Sequence, residues 1–137
     1  MSYDDKFWGA SFGANVVRAK FREGEFKSNY VPLVPSYTLN ATVYVKPIEN
    51  LRLLARARYL GNMYQGADFE NVGRQIPSYA ILDLQAVYKV CDYFEIFGAI
   101  ENVTDKKYVS TATYSTWGDS VYPGQGRIFK IGVNIRY

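Results

Sequence analysis

The chain has 137 residues, enough for one domain with its own core, and its 13 tyrosines, 11 glycines, 17% aromatic and 48% hydrophobic content point to a β-rich class. Lys and Arg outnumber Asp and Glu by 16 to 13, and the net charge of +3 is spread as single cations, which excludes the footprint of a nucleic-acid binder. Histidine is absent and Cys91 is the only cysteine, so a Ser-His-Asp triad, a zinc-hydroxide mechanism and an internal disulfide framework are all excluded within this chain, and no catalytic residue, metal site or cofactor is expected.

In chain order, Trp8, Ala10, Phe12, Ala14 and Val16 alternate with Gly9, Ser11, Gly13 and Asn15, which predicts a long strand from Phe7 to about Phe26 whose second half is polar. Pro32 and Pro35 punctuate a loop over 24–35, since neither can donate to a ladder. The second strand, Ser36 to Lys46, sets Tyr37, Leu39, Ala41, Val43 and Val45 against Thr38, Asn40 and Thr42, and 47–50 makes a short turn. The third, Leu51 to about Gly61, sets Leu53, Ala55, Ala57 and Tyr59 against Arg52, Leu54, Arg56, Arg58 and Leu60. A Gly-, Asn- and Gln-rich loop over 62–77 leads to a fourth strand, with Ala80, Leu82, Leu84, Ala86 and Tyr88 opposite Ile81, Asp83, Gln85, Val87 and Lys89. After the turn 91–93, the fifth strand runs from Phe94 to about Val103, with Phe97 as an aromatic exception on its polar side. The longest loop, 104–126, precedes a terminal strand in which Phe129, Ile131, Val133, Ile135 and Tyr137 occupy every second position.

These elements predict an all-β fold, an antiparallel up-and-down meander of about six long strands. Long connections alternate with short ones, so the loops 24–35, 62–77 and 104–126 gather at one end, the asymmetry of outer-membrane barrels. No segment has helical periodicity, so the chain carries no second layer for the apolar face, which must meet lipid or itself. Strands of about ten residues match a tilted membrane span, and Tyr37, Tyr59, Tyr88 and Tyr137 near strand ends suit an interfacial girdle. The opposite face, with Arg52, Arg56, Arg58, Asp83, Glu95, Glu101, Lys130 and Arg136, suits a hydrated lumen and equally a solvated outer surface. The opening Met1–Lys6 lacks the basic and apolar regions of a signal peptide, from which a fragment of a longer protein, or a soluble one, is expected.

A specific resemblance rests on four stretches: 31–40 (VPLVPSYTLN), Asp83 in a strand opening at Pro77-Ser78-Tyr79, 101–108 (ENVTDKKY), and 122–127 (YPGQGR) followed by the terminal strand. In order and spacing they resemble the C-terminal barrel strands of a TonB-dependent outer-membrane receptor of the siderophore type. The terminal row resembles the closing strand of such barrels, a barrel-closing and assembly signal that usually ends in Phe and here ends in Tyr137. The resemblance implies a barrel of about 22 strands, an N-terminal plug, outer-membrane lipid around the wall of a Gram-negative cell, the barrel-assembly machinery, and import of ferric siderophores or similar scarce ligands driven through TonB. Residues 1–137 would then form one incomplete C-terminal barrel segment, without plug or TonB box. Asn102 and Asp105 are expected to close a turn as the strand leaves the membrane, and Pro123-Gly124 to supply a residue free to adopt positive φ.

Ligand contacts would come from the long loops, where Met63, Tyr64, Arg74, Tyr114, Trp117 and Tyr122 could stack on or pair with an anionic aromatic chelate. Two other readings compete with the receptor segment. One is a small water-soluble β-barrel holding an apolar ligand behind Leu39, Val43, Leu82, Ile96 and Ile131. The other is an outer-membrane lipase or acyltransferase, which would have to act through Ser110 or Ser115 without a histidine.

Overall fold

Residues alternating between apolar and polar along a strand can only be satisfied if neighbouring strands keep the same register, because a slip of one residue turns every side chain over. A computed structural model, which describes residues 1–136, shows that register held through the body of the long strands, shifting only beside the short turns, between Val45 and Ile48 and between Lys89 and Cys91. Among the described residues eleven strands form: β1 (Ser2–Asp4), β2 (Trp8–Val16), β3 (Tyr37–Ile48), β4 (Leu51–Leu60), β5 (Met63–Tyr64), β6 (Gln75–Ile76), β7 (Tyr79–Cys91), β8 (Phe94–Glu101), β9 (Val109–Thr113), β10 (Ser120–Pro123) and β11 (Ile128–Ile135). The main sheet has seven strands in the order β1-β2-β3-β4-β7-β8-β11, each antiparallel to its neighbours. The six expected strands are its long members.

One row of cross-strand partners runs Trp8, Val45, Leu53, Ala86, Gly98, Ile131, and a second runs Phe12, Ala41, Ala57, Leu82. The alternate face carries the row Ser11, Thr42, Arg56, Asp83. No described element packs over the apolar face, and the outward side chains of β11 show what this leaves open: Phe129 is 70% exposed and Ile131 84%. Tyr37 stacks on Tyr59 at the long-loop end of that face, with ring centroids 5.6 Å apart, and Tyr88 stands near the short-turn end. The sheet order is linear, with β1 and β11 at its edges, so the described chain forms an open wall and not a small closed barrel. The apolar space it does offer is an open depression of about 560 Å³ on one face, lined by Val43, Leu53, Ala55, Ala86, Gly98 and Ile131 among others.

Several expectations are corrected. The strand begun at Phe7 ends at Val16, because its partner over 31–36 contains Pro32 and Pro35, which cannot donate, and Leu33 at φ 58°; beyond it, scattered backbone bonds and the isolated bridge Lys20↔Tyr30 hold the two segments together without a regular ladder. The opening residues add a strand, β1, whose Tyr3 stacks 4.7 Å from Trp8. The aromatic exception Phe97 lies on Gly132, its cross-strand partner, where a Cβ would come within 2.5 Å of the ring. Glycine gives that ring a flat seat, so Phe97 covers backbone that a bulkier partner would occupy. Two of the three long loops also contain strands, the pairs β5·β6 and β9·β10.

Candidate functional site

The functional features divide between the polar face and a cap built from the three long loops. On the polar face, opposite charges pair diagonally across strands, two positions from the facing residue, a distance long side chains can reach. Arg58 of β4 meets Asp83 of β7 at 3.0 Å, Lys130 of β11 meets Glu101 of β8, and Arg136 lies 3.8 Å from Glu95. Arg52 lies over the ring of Tyr44, 4.6 Å from its centroid. Arg56, placed opposite Asp83 and Thr42 by register, makes no ion pair with a described residue.

Asp83 carries the polar face into the last loop. Its Oδ1 accepts the backbone N–H of Asn102 at 3.0 Å while its other oxygen holds Arg58. Asn102 is 3% exposed and adopts φ 51°, a conformation that Asn tolerates better than other non-glycine residues. Its amide nitrogen donates to the carbonyls of Lys106 and Gln125, both at 3.0 Å, and its carbonyl accepts from Lys106 N–H at 2.8 Å. Asp105, at φ 50°, accepts from Arg127 N–H at 3.0 Å and pairs with Lys107. That backbone donor, followed by the Lys107 ammonium, holds the Asp105 carboxyl below the usual range. Both ends of the loop over 104–126 are thus fixed to the same strand ends, beyond the turn expected of Asn102 and Asp105, which Asp105 N–H closes on Asn102 O at 2.9 Å. Pro123-Gly124 works differently from expectation. Gly124 is not among the residues at positive φ; it lies beneath the Tyr108 ring, where any Cβ would collide, so close approach is what requires glycine there. At the opposite end of the sheet, Lys89 hydrogen-bonded at 2.6 Å holds the carboxyl of Asp92 below its ordinary value.

The cap has its own small core. Met63 of β5, Ile76 of β6 and Ala112 of β9 are buried together, with Val109 against them. A parallel bridge joins Gly66 to Thr113, closed by Gly66 N–H to Ala112 O and Tyr114 N–H to Gly66 O, each 2.8 Å. Asp68, 1% exposed, accepts the backbone N–H groups of Val72 and Gly73 at 2.9 and 3.1 Å, and Gln65, 5% exposed, donates to Asp119 at 3.1 Å. The first loop joins through Asn71, whose side chain exchanges hydrogen bonds with both backbone groups of Tyr30, and through Leu33 N–H to Tyr64 O at 2.9 Å.

The predicted contact residues occupy unequal positions on this cap. Tyr64 stacks on Tyr30 with centroids 5.9 Å apart, Tyr114 is half-buried against Gly73, and Arg74 is exposed beside it in sequence. Trp117 is 98% exposed and Tyr122 56%, while Met63 is core rather than surface. Ser110 donates to Tyr122 O at 3.0 Å and Ser115 accepts from Trp117 N–H at 3.2 Å, so both hydroxyls are engaged with loop backbone. Sequence reasoning missed a cluster of Phe21, Phe26 and Phe69, with centroids 5.6 to 6.4 Å apart. Its signal was two phenylalanines straddling Gly24 in an otherwise polar stretch. Of the terminal row, Phe129, Ile131, Val133 and Ile135 stand exposed on β11, the sheet's edge strand; Tyr137 lies outside the described residues.

Comparison with known proteins bears on the whole arrangement. A family model described as TonB dependent receptor-like, beta-barrel matches residues 1–103. No curated protein matches the chain. Among solved structures, the ferric yersiniabactin uptake receptor FyuA of Yersinia pestis superposes with a TM-score of 0.84 at 20% identity, over 98% of this chain and 22% of that one. The ferric-catecholate import receptor Fiu of E. coli K12, in its closed form, gives 0.81 at 22% identity, over 97% and 19%. The siderophore receptor PiuA of Acinetobacter baumannii gives 0.80 at 24% identity, over 97% and 20%. The chain thus spans about a fifth of the length of each of these receptors, and the likeness at such identities is one of fold.

Proposed function

This chain belongs to the TonB-dependent receptor β-barrel family, and on that premise we propose that it forms part of the wall and three extracellular loops of an outer-membrane receptor importing a ferric siderophore or a similarly scarce ligand. The observation that carries this reading is the apolar face running unbroken over six antiparallel strands with no described element upon it. In water such a surface would be a liability; facing acyl chains it is the ordinary outer surface of a barrel. The paired charges of the other face then line the lumen, where the plug of the complete receptor would sit. Residues 1–137 act as a C-terminal barrel segment, not as an enzyme.

In this frame Tyr64, Arg74, Tyr114, Trp117 and Tyr122 form the ligand-facing side of the cap. The row of Phe129, Ile131, Val133, Ile135 and Tyr137 serves barrel closure and recognition by the barrel-assembly machinery, a reading supported by the exposure of its first four members along an edge strand. Energy reaches the receptor through the TonB complex at its N-terminal part.

The test is uptake of a labelled ferric siderophore by iron-starved cells that carry the intact receptor. Trp117→Ala combined with Tyr122→Ala should lower uptake at least several-fold while leaving the amount of folded receptor in the outer membrane unchanged. Uptake indifferent to TonB and to both substitutions would refute the reading.

A further inference from the structure

The outward row of β2 continues past its last paired residue. From Val17 onward the chain alternates between half-buried Val17, Ala19 and Phe21 and exposed Arg18, Lys20 and Arg22. Backbone bonds keep this stretch extended against the returning chain: Val17 N–H to Ser36 O, Val31 N–H to Ala19 O and Phe21 N–H to Asn29 O, each 3.0 Å. Phe21 packs on Phe26 and Phe69, so its neighbours on either side point the other way. Arg18, Lys20 and Arg22 therefore extend the row of Trp8, Ala10, Phe12, Ala14 and Val16, spaced roughly 7 Å apart by the pleat.

Along this row the chemistry changes in a fixed sequence. Apolar side chains end at Val16, whose cross-strand partner Tyr37 stacks on Tyr59, and the three cations follow immediately at the long-loop end. None of the three makes an ion pair with a described residue. Lys20 sits over the ring of Tyr30, its Nζ 4.6 Å from the centroid, which restrains the ammonium on this face. Glu23 and Glu25 lie beyond them at the hairpin tip and are exposed.

We propose that Arg18, Lys20 and Arg22 form a binding site for phosphate-bearing lipid headgroups of the leaflet at the long-loop end. The inference rests on the lipid-facing reading of the apolar face and adds a partner to it. An acyl chain lying along Phe12, Ala14 and Val16 passes the tyrosine pair at the interface, and its headgroup then falls among the cations. Guanidinium and ammonium groups two residues apart can share one phosphate, Arg by a bidentate pair and Lys as a point charge. A soluble anion would have no reason to prefer this row, which is flat, outward and continuous with the apolar surface.

The experiment is native mass spectrometry of the intact receptor in detergent, titrated with phosphatidylglycerol, with phosphatidylcholine and with inorganic phosphate. The variant replaces Arg18, Lys20 and Arg22 by Gln, and Arg56→Gln on the polar face is the control. Phosphatidylglycerol should bind the triple variant at least about tenfold more weakly than the unaltered protein, since each surface cation contributes to attraction of an anionic lipid. Arg56→Gln should change nothing, and inorganic phosphate should not displace the lipid. Equal phosphatidylglycerol binding by the triple variant, or displacement by phosphate alone, overturns the site. A receptor that takes up neither lipid and stays monomeric in water would instead overturn the lipid-facing reading itself.

Discussion

Replacing Asn102 by Ala should release the loop over 104–126 from the sheet. The substitution removes three side-chain hydrogen bonds, to Lys106 O, Gln125 O and Lys106 N–H, and places Ala at φ 51°. Lys106 and Gln125 are exposed, so water can recover part of each lost bond, and about 1 kcal/mol per bond is the appropriate end of the range for an unsatisfied partner. Left-handed backbone without the Asn side chain adds roughly 1 kcal/mol more. The sum of about 4 kcal/mol corresponds to an opening constant for the loop anchor raised about a thousandfold at 1.4 kcal/mol per decade. The bond from Asn102 N–H to Asp83 survives, so the effect should stay in the loop and leave the strands intact. Amide hydrogen exchange at Lys106 and Arg127, with tryptic cleavage at Lys106-Lys107, reads it directly. Unchanged protection at both amides in a folded Asn102→Ala protein would show that the anchor is not where the geometry places it.

Other outcomes follow from the same geometry. Ala57→Arg, in the middle of β4 on the apolar face, should lower stability in lipid vesicles by about 2–4 kcal/mol, whereas Gln85→Arg on the polar face should change it little; urea unfolding of the reconstituted receptor separates the two, and equal costs would refute the assignment of faces. Gly132→Val should lift the Phe97 ring from its seat and loosen β8 from β11, seen as a lower unfolding temperature on heat-modifiable gel migration; no shift would count against the ring-on-glycine contact. Because the folded Asp105 carboxyl is held below its ordinary value of 3.8, its contribution to loop anchoring is fully present above that value and is lost as pH falls through the lower folded one. Exchange protection at Arg127 should therefore be flat from neutral pH to about the ordinary carboxylate range and decline only below it, and Asp105→Asn should abolish that decline.

How much was legible in the sequence depended on whether the signal was periodic. Period-two alternation located all six long strands and put Leu53, Ala86 and Ile131 on one face, because a slip of one residue would turn that whole set over. The polar partners Arg58 and Asp83 lay on the predicted face, but which arginine would reach Asp83 was not legible: register sets Arg56 opposite it, and the ion pair forms diagonally with Arg58. Strand ends were misjudged where proline acted on the partner strand and not on the strand itself, as at Val16. The cap was the least legible part. Its core joins Met63 and Ile76 of the middle loop to Ala112 of the last, with no period linking them, and the bond between Gly66 and Ala112 spans a separation no local pattern reports.

That hidden core has a functional consequence. Surface loops ordinarily keep separate, low local stabilities, which is what allows them to move singly around a ligand. Here Met63, Ile76 and Ala112 bury one another, Asn71 ties the middle loop to Tyr30 of the first, and Gly66 ties it to Thr113 of the last. Opening the first or the last loop breaks its contacts with the middle one, and opening the middle one breaks both sets, so the three are coupled through it as one body. The exposed rings of Trp117 and Tyr122 ride on that body, so a ligand of the proposed kind would be spared the entropy of ordering the backbone beneath them. Cutting the cap core with Ala112→Asp should consequently mobilise all three loops together, including residues around Tyr30 that Ala112 does not touch. Exchange confined to the last loop in that variant would show the loops to be independent and the shared body to be wrong.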